Sequence, residues 1–456
     1  MNLRAAWTAG WNALLGSPLP AAGMSYNATN WPVTPTGPNP IPANDVFSRS
    51  RAEREIHDSA LAKRIVSVWS GELCGGSGAT PMFRDSELRS LWDEWSTKWI
   101  PDLLQIIETM IISGECFVLL QISETAPAVP LSLTLLPPEY LDVSKSDGST
   151  VIGGIGFRGT ERTGYWLFDH HPATPGTDLR SSFIPVADCL HVYRPLRPTQ
   201  QRGETWFAPV LYLLRLLREY LESDLVRLKT SALLTGFVRS PSGSLNPFAS
   251  PTNPNGGLIS LEPATMTMLP SEAEVTFSNP VDHSGAFDPF VRHVIRQIAA
   301  GMNLSYESVS GDYSSVTFAS GRAAILTFRK QVEAIQYGTL IPMLCQPVLD
   351  RWLELAASLG YDAARTEKPR WATPTPASLD TRVELQAAVL GIRAGLSSRK
   401  AFVEANGDNV EDIDRELAAD QQRARSLGLT LDVDSEKTQL GQTQPQAGPT
   451  METQQP

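Results

Sequence analysis

At 456 residues, 42% hydrophobic and 19% charged, the chain has the length of about three domains and enough apolar content for a large core. A formal net charge of −11 argues against a protein that grips nucleic acid through a broadly basic surface, because phosphate neutralisation by Lys and Arg supplies most non-specific affinity. Membrane insertion is not expected, since no run reaches the roughly 18 apolar residues a span needs, and residues 103–112 are interrupted by Gln105 and Glu108. The first residues carry Arg4 without a secretory apolar core, which predicts synthesis in the cytoplasm. Cys74, Cys116, Cys189 and Cys345 form no C-x-x-C pair, so buried reduced thiols are expected rather than a zinc ribbon or disulfide framework.

Residues 1–46, which contain Pro32, Pro35, Pro38, Pro40 and Pro42, predict an extended arm. From 45 to 69 the pattern turns helical, with Ile56, Leu61, Ile65 and Val68 recurring on one face. Asp85 is placed to cap a helix in which Leu88, Leu91, Trp92, Trp95 and Trp99 follow i, i+3, i+4 spacing, and that aromatic stripe reads as core, not as a ligand platform. A second helix over 101–113 stops at Gly114, and a mostly buried strand follows over 115–122. Further strands are predicted at 131–136, 151–158, 165–168 and 190–193. No G-x-G-x-x-G follows a strand, so the chain reads as α+β and not as a dinucleotide fold.

A long helix is predicted over 207–234, where Leu211, Leu214, Leu217, Leu221, Leu225 and Leu228 recur every three or four residues. Its apolar face needs partners from this chain or from neighbours. Residues 240–257 are turn-rich and 258–277 contain strand-like pieces. A third helix follows over 287–301, with Asp288 as its cap and Pro289 in its first turn. A fourth begins near Gly321 and runs through Leu326, Phe328, Val332 and Ile335 until Pro342 and Pro347 bend or end it. After Leu359 a polar link leads to small helices over 381–427, and residues 429–456 hold too few apolar side chains to fold.

The search for chemistry is negative. No G-x-x-x-x-G-K-[ST] and no H-E-x-x-H occurs, which removes the phosphate cradle of an ATPase and the zincin ligand pair. Among the six histidines, His170 and His171 are adjacent and, on a strand, would point apart. Ser77 lies in Gly75-Gly76-Ser77-Gly78-Ala79, which lacks the last glycine of a nucleophile elbow and follows a helix where an elbow follows a strand. Glu115 is a solitary carboxylate for which the sequence nominates no second group. No catalytic residue, cofactor or metal ligand is assigned.

Within the stretch from Phe287 to Leu353, the run FDPFVRHVIRQIAAGMNLSYESVSGDYSSVTFASGRAAILTFRKQVEAIQ resembles the most distinctive block of lambda-type phage portal proteins. The Trp92/Trp95 helix, the "GE-F" strand at Gly114 to Val118, the segment from His191 to Leu211 and the block LQAAVLGIRAGLSSRKAFVEANGDNVEDIDRELAAD agree in order. The resemblance thus covers roughly 50–427. It implies a portal fold with wing, stem, clip and crown regions, assembled as a homododecamer ring of about twelve chains around an axial channel. Mapped onto this chain, the arm is 1–46, the wing 47–205, the first stem helix 206–238, the clip 239–282 and the second stem helix 283–302. A tunnel loop at 303–321, a long wing helix at 322–360, link and crown helices at 361–428 and a disordered tail at 429–456 complete the mapping.

The same resemblance assigns Asp312, Tyr313, Ser314 and Ser315 to a mobile constriction facing DNA, with Arg322 anchoring the next helix through an ion pair. Arg239, Asn246, Phe248, Asn253 and Asn255 would face partners on the clip. Implied partners are further copies of the chain, double-stranded DNA passing without sequence readout, the terminase large subunit, head-tail adaptor proteins, and major capsid and scaffolding proteins. The implied place is the portal vertex of the virion, and the implied role is structural, not enzymatic, including nucleation of procapsid assembly. The alternatives are a capsid-associated hydrolase or protease using Ser77 or Glu115, and a helical scaffold or adaptor without a channel.

Overall fold

The computed structural model describes residues 42–123, 129–176, 178–233, 237–239, 274–276, 284–374, 381–405 and 410–428. The predicted arm lies outside them up to residue 41, and its end is helical, because α1 (Pro42–Asp58) opens at a proline that a first turn tolerates. The single helix predicted over 45–69 is two. Ser59 leaves the helical region at φ −117° and its hydroxyl accepts the Ala62 amide, capping α2 (Ala60–Cys74).

After the short β1 (Thr80–Met82), α3 (Ser86–Trp95) begins as predicted, with the Asp85 carboxylate accepting the Glu87 and Leu88 amides at 2.9 Å each. A 3₁₀ turn then leads into α4 (Trp99–Ser113), so Trp99 opens the second helix and does not close the first. The aromatic stripe is core in either case: the Trp92 ring lies 5.0 Å from Trp95, 6.2 Å from Trp99 and 5.3 Å from Trp352.

Gly114 ends α4 at φ 91°, and the strands β2 (Glu115–Ile122) and β3 (Leu131–Leu136) follow. Next come β4 (Val151–Ile152), β5 (Ile155–Arg158), β6 (Glu161–Phe168), β7 (Ser181–Pro185) and β8 (Cys189–Tyr193). The strand predicted over 151–158 is a hairpin, since Gly153 and Gly154 at φ 55° and 84° reverse the chain. The edge strand β7, Ser-Ser-Phe-Ile-Pro, escaped the sequence reading because it carries almost no apolar alternation. His170 and His171 follow the end of β6 and do not lie on a strand; the His171 ring meets Tyr140 edge-on at 5.5 Å.

Every strand pairing among the described residues is antiparallel, in sheets ordered β3-β2-β8 and β4-β5-β6-β7 plus two short ladders. The α+β reading therefore holds. β2 is buried on both faces: Cys116, Val118 and Leu120 join the main core with α4, while Phe117 joins a second cluster with Leu141, Ile155, Tyr165 and Leu167 from around the other sheet. That is why its sequence is a nearly continuous apolar run and not an alternation.

The long helix α5 (Leu211–Leu233) starts later than predicted, because Phe207 to Val210 form a turn in which the Val210 amide reaches the Phe207 carbonyl at 2.9 Å. Beyond it, β9 (Phe237–Arg239) pairs with β10 (Glu274–Thr276), Arg239 standing opposite Glu274 in the backbone register. Helix α6 (Ser284–Gly301) begins earlier than predicted, so Asp288 is no cap. It sits inside the helix and pairs with Arg292 at 2.9 Å, with Pro289 next to it, also inside.

The short α7 (Tyr306–Ser310) precedes α8 (Phe318–Ile335), which starts ahead of Gly321 because Thr317 and Ser320 form a capping box. Pro342 and Pro347 do not end this helical run. A π-helical stretch, Gln336–Cys345, passes Pro342, and α9 (Gln346–Ser358) takes Pro347 in its first turn, where the missing N–H is unneeded. β11 (Arg370–Ala372) pairs with β1. The chain then forms α10 (Thr381–Arg393), which buries no residue, α11 (Arg399–Ala405) and α12 (Val410–Ser426), tied to α3 by the ion pair Arg89–Asp412.

Candidate functional site

The leucine stripe that defines α5 divides in space. Leu214 and Leu217 are buried in the main core, and Leu221 packs against it. Further along, Leu225, Val226 and Leu228 are 68%, 58% and 52% exposed. A helical face that stays apolar and exposed beyond its own core leaves apolar surface open to burial. Helix α6 lies alongside α5: the Tyr220 ring stacks on Phe287 at 5.9 Å and meets Phe290 at 5.3 Å, and a Cβ on Gly301 would meet Val210 Cγ1 at 2.5 Å.

The segment after α6 is less free than its composition suggests. Leu304 and Val309 are buried, the Trp69 indole N–H donates to the Met302 carbonyl at 3.1 Å, and Arg64 Nε donates to the Ser308 carbonyl at 3.2 Å. The tip over 311–317 is mostly exposed. There the Asp312 carboxylate accepts from the Ser314 hydroxyl at 2.6 Å and from its amide at 3.1 Å, bonds that hold its pKa below the ordinary carboxylate value. Tyr313 is 59% exposed, and Ser314 and Ser315 are exposed beside it. Arg322, on the first turns of α8, is exposed and forms no ion pair among the described residues. Of the five residues assigned to the clip, Asn246, Phe248, Asn253 and Asn255 lie outside the described residues, and Arg239 ends β9.

The root of α5 is held by a buried charge cluster. Glu115, at the start of β2, is fully enclosed; its Oε1 accepts from Arg202 Nε at 2.7 Å and lies 2.9 Å from Arg49 Nη2, while its Oε2 accepts from the Gly203 amide at 2.7 Å and from His191 Nε2 at 2.9 Å. Burial opposes ionisation here, but Arg202, Arg49 and His191 outweigh it and hold the carboxyl well below its usual range. Burial acts first on His191 as well, and its pKa falls to about 4 despite the neighbouring carboxylate. The imidazole is therefore neutral, with a proton on Nε2 for Glu115, and its bare Nδ1 accepts from Arg162 Nη1 at 3.1 Å.

Arg49 Nη2 also donates to the Gly203 carbonyl at 3.1 Å, and Arg162 donates to the Gln201 carbonyl at 3.0 Å. Residues 200–203, just ahead of α5, are thereby fastened to α1 and to both sheets. Sequence reasoning singled out Glu115 but not Arg49, Arg162 or Arg202. The one available signal was the Gln-Arg-Gly-Glu-Thr-Trp stretch at 201–206, and nothing local shows that its arginine turns inward.

This carboxylate cannot serve as a general base, since four donors saturate it away from solvent. Ser77 Oγ has one hydrogen bond, to the Gly78 carbonyl at 3.4 Å, and no imidazole or carboxylate bonds to it among the described residues. Burial pushes the thiols of Cys116, Cys189 and Cys345 up to about 12, the opposite of what a nucleophile needs. Among the described residues no group of three or more His, Cys, Asp or Glu could hold a metal, and no helix is long and apolar enough to cross a membrane.

Residues 26–336 match the family model described as phage portal protein, lambda family. The chain is 24% identical over 427 residues to a probable portal protein of Halomonas phage phiHAP-1, covering 84% of this chain and 81% of that one. It is 24% identical over 289 residues to the portal protein of Escherichia phage N15 (53% and 51% covered), and 23% identical over 290 residues to portal protein B of Escherichia phage lambda (53% and 52%). Among solved structures, a chain from the neck of an empty GTA particle is similar with a TM-score of 0.48 at 14% identity, covering 84% of this chain and 97% of that one. A chain from the virion of a native gene transfer agent particle follows at 0.47 and 13%, covering 89% and 97%. Likeness of that strength fixes neither a symmetry nor a partner for this chain. The family model, in contrast, takes in more than half of the sequence, from ahead of α1 to the start of the π-helical stretch, and the protein belongs to the lambda family of phage portal proteins.

Proposed function

We propose that this chain is the repeating unit of a ring at one capsid vertex, through which double-stranded DNA enters during packaging and leaves at ejection. The observation that carries the reading is the outward continuation of the apolar face of α5. Burying a leucine or valine from full exposure stabilises by about 1.5–3 kcal/mol, so covering the largely exposed Leu225 and Val226 contributes on the order of 3 kcal/mol per protomer. Equivalent helices of neighbouring copies are a natural cover, because a heterologous contact closes into a ring when its repeated rotation completes a full turn.

In this reading residues 47–205 are the wing, and α5 and α6 are the stem helices. Residues 239–282 form the clip that docks the terminase and later the adaptor proteins, and α10 to α12 form the crown. The tip over 311–317 narrows the channel, with Asp312 and Tyr313 nearest the DNA and the folded part of 303–310 as its base. The role is structural and non-enzymatic, with capsid and scaffolding proteins as further partners during procapsid assembly. A net-acidic protomer suits a conduit in which DNA slides both ways, because weak phosphate binding keeps the barriers to sliding low.

The test is the mass of the purified chain in solution together with electron micrographs of it. A particle of about twelve chains with an axial hole is expected. A monomer at every concentration, or a small oligomer without a hole, would overturn the proposal.

A further inference from the structure

An open cleft of about 180 Å³ lies where the folded body meets the C-terminal helices. Its lining brings together four cationic residues, Arg84, Lys368, Arg370 and Lys400, against one acidic residue, Glu411, with Met82 and Phe83 completing the wall. In a chain of net charge −11 such a concentration of positive charge stands out, and three separated parts of the sequence build it. The β1–β11 ladder sets Met82 opposite Arg370, which brings Arg84 beside the 367–370 loop. The Glu367 carboxylate fixes that loop by accepting the Arg84 amide at 2.9 Å. The Arg89–Asp412 ion pair draws α12 in from the other side. Arg84, Lys368 and Arg370 are exposed, and none of them forms an ion pair among the described residues.

We infer that this cleft binds phosphate groups of the DNA backbone, a second DNA contact outside the channel tip. The inference rests on the portal reading for the identity of the polyanion, and on the cleft itself for the chemistry. One acidic side chain against four basic ones leaves an excess of positive charge in the lining, and the cleft is open and small, sized for phosphate groups and not for a folded partner. Arginine forks match phosphate oxygens in pairs, and Lys368 adds a point charge beside them. Recognition would be of the backbone alone, without sequence readout.

The experiment uses the full chain in its assembled form and a fluorescent duplex of about 20 base pairs, titrated across a range of salt concentrations. The triple variant Arg84→Gln, Lys368→Gln, Arg370→Gln is compared with a control triple, Lys63→Gln, Lys98→Gln, Lys330→Gln, which removes the same charge from exposed positions elsewhere. The cleft variant is expected to bind about tenfold or more weakly, with a log–log salt slope shallower by about 2 to 3, since each phosphate contact contributes about 0.9. The control is expected to keep the parental slope. Equal binding by parent and cleft variant overturns the inference, as does an equal loss in both triples. Displacement of the duplex by millimolar inorganic phosphate, at a salt concentration where chloride does not displace it, overturns the DNA assignment in favour of a free-phosphate site. Melting temperatures check that both variants fold. Mass measurement on the same samples keeps the two ideas apart, because loss of the ring refutes the conduit whereas unchanged duplex affinity of an intact ring refutes the cleft.

Discussion

His191 donates its Nε2 proton to Glu115 at 2.9 Å while its Nδ1 accepts from Arg162 at 3.1 Å, so one neutral imidazole bridges an anion and a cation inside the fold. The bridge makes stability depend on pH in a definite direction. His191 titrates at about 4 in the folded chain and near its ordinary 6.5 when unfolded, so between those values only the unfolded chain binds the proton. Stability falls as pH drops from 6.5 to 4, by at most about 1.4 kcal/mol per pH unit. Glu115 adds a further loss below about 4.5, where the carboxyl of the unfolded chain takes up a proton first, and that loss continues until the folded carboxylate protonates too. Thermal melts of the parent and His191→Gln, which keeps an N–H donor without a titrating ring, are expected to show the shallower decline in the variant. Parallel declines would remove His191 as the cause.

Gly203 and Gly114 touch backbone to backbone: a Cβ on Gly203 would sit 2.1 Å from the Gly114 carbonyl oxygen. Gly203→Ala is therefore expected to destabilise by about 2 kcal/mol or more, through overpacking and through displacement of the amide that Glu115 uses. Gly338→Ala, where nothing lies within 4 Å of the added carbon, is expected to be neutral or mildly stabilising. Denaturant unfolding of both variants decides, and similar midpoints for the two would contradict the close contact.

Leu225→Asp with Leu228→Asp places charge on the exposed end of the α5 face while leaving Leu214 and Leu217 in the core. Circular dichroism is expected to be unchanged and the ring to fall apart to monomers in sedimentation. Full assembly in this variant would mean that some other surface joins the copies.

Replacing Asp312 and Tyr313 by Ala changes the exposed tip without touching Leu304 or Val309, which hold its base. Ring assembly is expected to persist, while packaged DNA per particle or its retention declines. Phage yield equal to that of the parent would count against a constricting role.

Much of the chain order could be read locally. The Asp85 cap, the Gly114 stop, the doubly buried β2 and the order of family motifs each depend on residues within a few positions of one another, as hydrogen-bonded turns and side-chain periodicity do. The misplaced starts of α5, α6 and α8 have a different origin. Turn chemistry at Phe207, an internal Asp288–Arg292 pair and the Thr317–Ser320 box moved boundaries that apolar spacing does not define.

Apolar periodicity was enough to expect an α+β chain, and the order of motifs that resemble lambda-type portal proteins pointed to the family that the match over residues 26–336 then showed. Only the tertiary structure decided that Glu115 is a saturated clamp, that the leucine stripe of α5 emerges from the core, and that basic side chains gather at one cleft in an acidic protein. Burial and charge pairing depend on which distant segments meet: Glu115 finds its partners at residues 49, 191, 202 and 203, and no local pattern records those encounters.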